Sequence, residues 1–256
     1  MISSLRSVLD KIKKNKSLFC LIILLQLGII VLLTLASFFT IIPAMDKAKA
    51  AVDYYDKINL TENPGMFDYL GNDPAIVFQS YRRVVEYFKL LALIAIPGYI
   101  LLTSLIWSLS DRVLFDKKRF LSYFAKCAFS LAIFFLLAYG VLFEKLLSAL
   151  AEENMIALTG PVILLAIMGY LFFGMLCLIS TKKNFLKEGI VLGFKKIHKI
   201  TMIYIACLTA IALLCLAIFI SIEASLLILI LLIIVLMALI AFLRLFLIEW
   251  VNELAK

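Results

Sequence analysis

The chain has 256 residues, of which 65% are hydrophobic and 16% charged, with a formal net charge of +8 and a mean hydropathy of +1.11. Soluble domains average about 45–50% apolar and about 25% charged residues, so a water-soluble fold is excluded: the chain is too short to bury such an excess. The basic residues flank apolar stretches, where anionic lipid headgroups attract them. No basic stripe interleaved with exposed aromatics remains elsewhere, so no nucleic-acid partner is expected.

The first segment places Leu5, Val8, Leu9 and Ile12 on one helical face, with Arg6, Asp10, Lys13 and Lys14 turned away. Such a basic amphipathic helix is expected to lie in the headgroup plane with its apolar face down. An α-helix needs roughly 20 apolar residues to cross a hydrocarbon core of about 30 Å. Six stretches meet that need: Ser17 to Ile42, Leu90 to Ser108, Cys127 to Phe143, Ile156 to Ser180, Ile200 to Ile222 and Ser225 to Leu243. The first is too long for a secretory signal and lacks a small-residue cleavage site, so it is expected to be a retained span.

The expectation is therefore an all-α polytopic bundle with six transmembrane helices and basic interfacial helices, forming one integral membrane domain over residues 1–256. Between the first two spans, residues 43–83 read as an extracytoplasmic loop, either a small cap or a mobile loop. Within it Met45 to Ile58 is compatible with a helix, and Asn63-Pro64-Gly65 and Gly71-Asn72-Asp73-Pro74 mark turns. Asn59-Leu60-Thr61 matches the N-glycosylation pattern on that side. Between the second and third spans, Asp111 to Phe124 reads as a less regular basic amphipathic segment. Between the fourth and fifth, Leu186, Ile190, Phe194 and Ile197 form an apolar stripe opposite Lys187, Lys195, Lys196 and Lys199. A short turn at Glu223-Ala224 joins the last two spans.

Lysine and arginine gather before the first span, after the second and after the fourth, all on one side of a six-span chain. Acidic residues mark the other side. This asymmetry predicts a multi-pass cell-membrane protein with both termini in the cytoplasm. The expected partners are anionic lipid headgroups and a cytoplasmic protein, with Lys187, Lys195, Lys196 and Lys199 as surface contacts.

Inside the spans, Gln26 and Thr209 are the polar positions expected to bond to a neighbouring helix. Pro97 and Pro161 are the positions at which a span would be kinked or interrupted, although Pro161 lies near the start of its span, where proline costs little. Arg244 and Lys126 read as interfacial charges near the ends of their spans. Glu86 and Lys89 also read as interfacial charges, or else as a gating pair. The five cysteines, Cys20, Cys127, Cys177, Cys207 and Cys215, all lie in apolar stretches and read as small packing residues. His198 is the single histidine, and no phosphate loop, nucleophile elbow or zinc signature occurs, so neither a cofactor nor a catalytic group is expected. A membrane enzyme would instead require Asp111, Asp116 and Glu188 to converge on a polar pocket.

The segment Phe185-Leu-Lys-Glu-Gly-Ile-Val-Leu-Gly-Phe-Lys-Lys and the opening Leu5-Arg-Ser-Val-Leu-Asp-Lys-Ile-Lys-Lys-Asn-Lys-Ser-Leu-Phe resemble elements of six-span prokaryotic membrane domains, found alone or fused to glycerophosphodiester phosphodiesterases. That resemblance implies a helical module and supplies no catalytic residue. A second resemblance, in length, span count and an N-terminal interfacial helix, is to permease subunits of ABC-type exporters, which work with a separate ATPase. The short Glu223-Ala224 turn departs from that pattern, because it leaves no room for outer re-entrant helices. The chain is accordingly expected to be a non-enzymatic membrane module binding a protein partner or lipid, with the permease subunit as the alternative.

The orientation makes one direct prediction. A cysteine introduced at Asn63 should react with a membrane-impermeant maleimide from the outer face of intact cells. Labelling only after the cytoplasmic face is opened would reverse the topology.

Overall fold

A chain this apolar must satisfy its backbone polar groups within each segment, because hydrocarbon offers them no partner, and helices do so. The structure, a computed structural model, describes residues 2–59, 75–115, 120–151, 159–179, 181–182, 184–221 and 226–255; within these, the side chains of 2, 47–48, 50–59, 75–78, 80–81, 88, 141–151 and 226 are not described. Among the described residues there is no strand, and the elements are α1 (Ile2–Lys14), α2 (Lys16–Asn59), α3 (Ala75–Phe115), α4 (Phe120–Ala151), α5 (Thr159–Leu178), α6 (Phe185–Lys195), α7 (Ile197–Ile220) and α8 (Leu226–Leu254). Six of them (α2, α3, α4, α5, α7 and α8) are long and apolar enough to cross a membrane. The all-α architecture and the number of spanning helices agree with the sequence.

Several boundaries differ. The expected loop 43–83 is largely helical: α2 continues through Pro43 to Asn59 and α3 begins at Ala75. The helix-compatible stretch Met45 to Ile58 simply prolongs the first span, since one proline removes a single backbone donor and need not end a long helix. Asn59, the glycosylation candidate, is the last residue of α2, and both expected turns lie outside the described residues. The Asp111 to Phe124 segment is not a separate interfacial helix, because Asp111 to Phe115 ends α3 and Phe120 to Phe124 begins α4. The Glu223-Ala224 turn also lies outside the described residues.

The chain divides into two compact units, Gly28–Tyr99 and Met1–Leu27 with Ile100–Lys256. In Gly28–Tyr99, α2 and α3 approach closely at Gly98, where an added Cβ would lie 2.5 Å from Leu32 Cδ2. Pro97 is exposed beside it, and α3 runs unbroken through that proline. Arg82 Nε meets Glu86 Oε1 at 3.3 Å on an exposed face, so Glu86 pairs one turn back rather than with Lys89.

The larger unit is organised by α8. α5 and α6 fold against each other as an antiparallel pair, with Tyr170 OH donating to Gly193 O at 3.2 Å and Gly174 facing the Gly189 carbonyl. Gly189, Leu192 and Gly193 form the buried face of α6. The four residues expected as its apolar stripe, Leu186, Ile190, Phe194 and Ile197, are all exposed. Small residues at a helix contact are what lets two backbones come together where lipid supplies no hydrophobic drive. Pro161 falls in the first turn of α5, where its missing donor costs nothing.

The close contact at Gly189 sets a test. An added Cβ would lie 2.6 Å from Met175 Cγ and 2.9 Å from its Cα, so backbone would have to move. Gly189→Ala should lower thermal stability in detergent by about 1–3 kcal/mol, through overpacking. Gly98→Ala should cost clearly less, because only the flexible tip of Leu32 must turn aside. Equal melting shifts for the two variants would contradict this packing.

Candidate functional site

The polar residues of the larger unit gather along the C-terminal half of α8. Leu245, Phe246, Leu247, Ile248, Trp250 and Val251 are all buried, so the packed helix continues well beyond Arg244. Arg244 therefore sits within a continuous helix rather than at its end. It stands about 15 Å from the C-terminal end of α8 and about 27 Å from its start, at 1.5 Å per residue.

A partly buried charge is costly unless paired, and Gln26 supplies a partner. Gln26 is 5% exposed on α2; with its amide turned so that both neighbours are satisfied, its Oε1 accepts from Arg244 Nη2 at 3.1 Å and its Nε2 donates to Met237 O at 2.8 Å. The guanidinium also lies 5.9 Å from the Trp107 ring of α3, a cation–π contact. From Trp107 the aromatic chain continues to Phe173 of α5 at 5.7 Å and Tyr204 of α7 at 5.8 Å. Gln26 thus makes the interhelical bond expected of it. Thr209 does not: it is exposed and its hydroxyl donates to Ile205 O of its own helix at 3.0 Å.

Nearer the end of α8, α1 is docked through a polar stripe. Ser4 Oγ donates to Glu253 Oε2 at 2.7 Å, Ser7 Oγ to Glu249 Oε1 at 3.1 Å, and Lys11 Nζ pairs with Glu249 Oε1 at 2.7 Å. Val8 is fully buried beside them, whereas Leu5 and Leu9 stay exposed. α1 therefore presents a mixed stripe to the protein and leaves much of the expected apolar face uncovered. On the other side of α8, Asn252 Nδ2 donates to Cys177 O and to Ile248 O at 2.8 Å each, and its Oδ1 accepts from Thr181 Oγ1. Lys182 Nζ reaches Ala255 O at 3.2 Å and Lys196 Nζ reaches Leu254 O at 3.0 Å, placing cations on the negative end of the helix dipole. Among the lysines expected at the membrane surface, Lys196 is thus tied to α8, while Lys187, Lys195 and Lys199 are exposed.

The acidic trio does not converge on a described polar pocket. Asp111 is buried at the end of α3, Glu188 pairs with Lys182 at 3.2 Å, and Asp116 lies outside the described residues. Tyr123 and Cys127 share a side-chain hydrogen bond on α4 near Asp111. Cys127, Cys177 and Cys207 are buried and Cys20 and Cys215 exposed, all as free thiols. Among the described residues, no three His, Cys, Asp or Glu side chains assemble where a metal could be held.

Two apolar grooves complete the picture, and each adjoins a basic helix. The larger, of about 450 Å³, runs between α4, α5 and α6, with Ile133 and Phe134, Leu171 and Phe172, and Leu186 and Ile190 among its walls. Phe134 and Phe172 stack across it at 4.8 Å. Lys126 and Ser130 are its polar lining residues. The smaller, of about 270 Å³, lies between Leu5 of α1, Ile203 and Cys207 of α7, and Phe242 and Phe246 of α8. Half of the expected apolar stripe, Leu186 and Ile190, therefore serves as a groove wall. Amphipathic spacing located these residues, but only the antiparallel packing of α6 on α5 shows what they line.

Comparisons with protein-family models, with curated proteins and with solved structures return no match for this chain.

The Gln26–Arg244 contact can be checked by its non-additivity. Gln26→Leu should lower stability in detergent by about 1–3 kcal/mol, since it removes a buried partner from a charged group. The double variant Gln26→Leu/Arg244→Met should recover part of that loss, because replacing both members by apolar residues removes the stranded charge. Simply additive melting shifts would mean that the two side chains are not coupled.

Proposed function

We propose that the protein is a non-enzymatic module of the cell membrane that holds lipid in lateral grooves beside its basic helices. The observation that carries this reading is the 450 Å³ groove between α4, α5 and α6, whose walls are apolar except for Lys126 and Ser130. Its volume falls in the range of roughly 300–1,000 Å³ typical of small-molecule sites. The second groove repeats the association of an apolar slot with a basic helix, here α1. The positive-inside asymmetry supports a cytoplasmic setting for that basic end and for both termini. The resemblance of the α6 segment and the chain's opening to six-span membrane domains fits a module without its own catalytic group.

The alternative, a permease subunit of an ABC-type exporter, calls for a polar, wet path between helices and a cytoplasmic surface for an ATPase. Both grooves described above are apolar, which favours lipid; the exposed Lys187, Lys195 and Lys199 leave a surface that a protein partner would use.

Purification of the full chain in a mild detergent, followed by mass spectrometry of what accompanies it, separates the two. Near-stoichiometric lipid without a protein partner is the expected result. A co-purifying ATPase would establish the permease reading in its place.

A further inference from the structure

Resting on that lipid-binding reading, we propose that the α4–α5–α6 groove is a site for one acyl chain of an anionic glycerophospholipid, with the Lys126 ammonium contacting its headgroup phosphate. In a bilayer, an apolar wall by itself selects nothing, because a lipid tail is already surrounded by hydrocarbon as apolar as leucine. Selectivity must come from shape and from charge at the mouth of the groove. Both are present.

On α4 the groove-lining residues Lys126, Phe129, Ser130, Ile133 and Leu137 follow helical spacing, so they form one stripe with its single cation at the end nearest the N-terminus of α4. From Lys126 to Leu137 the stripe extends about 16 Å, close to the half-thickness of about 15 Å that one leaflet's chains occupy. Its length and polarity thus match one lipid, headgroup at Lys126 and chain along Ile133 and Leu137. Lys126 is exposed and forms no ion pair or hydrogen bond among the described residues. Glu188, the acid of α6, is paired with Lys182. A phosphate is the complementary charge, and an anionic headgroup presents it without the competing cation of a choline headgroup. A lysine at this place in the lining can rest its four-carbon stem on apolar wall while its ammonium reaches the headgroup level.

The test titrates the full-length protein, in detergent micelles, with phosphatidylglycerol and phosphatidylcholine of identical chains and counts bound lipid by native mass spectrometry. The wild type should bind phosphatidylglycerol about fivefold more tightly, the effect of one lysine at an anionic surface. Lys126→Gln should abolish that preference, and Lys187→Gln, an exposed α6 charge outside the groove lining, should leave it intact. Ile190→Trp, which fills the groove, should weaken both lipids. Elution volume and thermal melting verify that each variant is folded, and Lys126→Gln, at an exposed position, keeps the test decisive if the tryptophan variant misfolds. Equal binding of the two lipids by the wild type, an undiminished preference in Lys126→Gln, or an equal loss in Lys187→Gln would overturn the site while leaving lipid binding in place. No retained lipid of either kind would remove the broader reading as well.

Discussion

Helices immersed in hydrocarbon gain nothing from hiding apolar surface from one another, so what holds this protein together is the obligation to satisfy the polar groups on α8. Arg244, Glu249, Asn252 and Glu253 all lie in its C-terminal half, and between them they engage four other helices. Arg244 engages Gln26 of α2 and Trp107 of α3; Glu249 and Glu253 hold α1; Asn252 ties down the end of α5. Lys182 and Lys196 then cap the helix's terminal carbonyls from the segments on either side of α6. The larger unit is built around one helix whose polar side chains have nowhere else to go.

The same economy shapes α6. A short basic helix after a span would ordinarily rest at the surface, but the glycines at 189 and 193 let it pack directly on α5, leaving its apolar stripe facing away. That stripe then becomes one wall of a groove whose other walls are α4 and α5. Lipid binding, on this view, follows from how α6 is packed: a glycine face spent on the protein frees an apolar face for the membrane. α1 repeats the division with serines and Lys11 on the protein side and Leu5 at the edge of the second groove.

Arg244 illustrates why part of the candidate site was not legible beforehand. Hydropathy ends a span at the first charge, and Arg244 follows 19 residues of nearly pure aliphatic sequence, so it reads as an end-of-span charge with no partner named. The signal available was the resumption of apolar residues, Leu245 to Ile248, immediately afterwards. Gln26 was legible because an isolated amide in mid-span demands a partner, yet nothing in its surroundings named Arg244. Thr209 shows the opposite outcome: a hydroxyl can be satisfied by the carbonyl one turn back, so a polar residue in a span need not bridge helices.

What the amino-acid order determined by itself was everything governed by local composition: the all-α class, six spanning helices, the basic flanks and the amphipathic spacing of α1 and α6. Those properties depend on residues near one another in the chain, through hydropathy and helical period. What only the tertiary structure decided was which polar groups meet, that Lys196 caps α8 while Lys126 borders a groove, and which face of each amphipathic helix turns inward. Those outcomes depend on residues far apart in sequence, because a buried charge is satisfied by whichever side chain another helix brings within reach, and no local pattern encodes that distance.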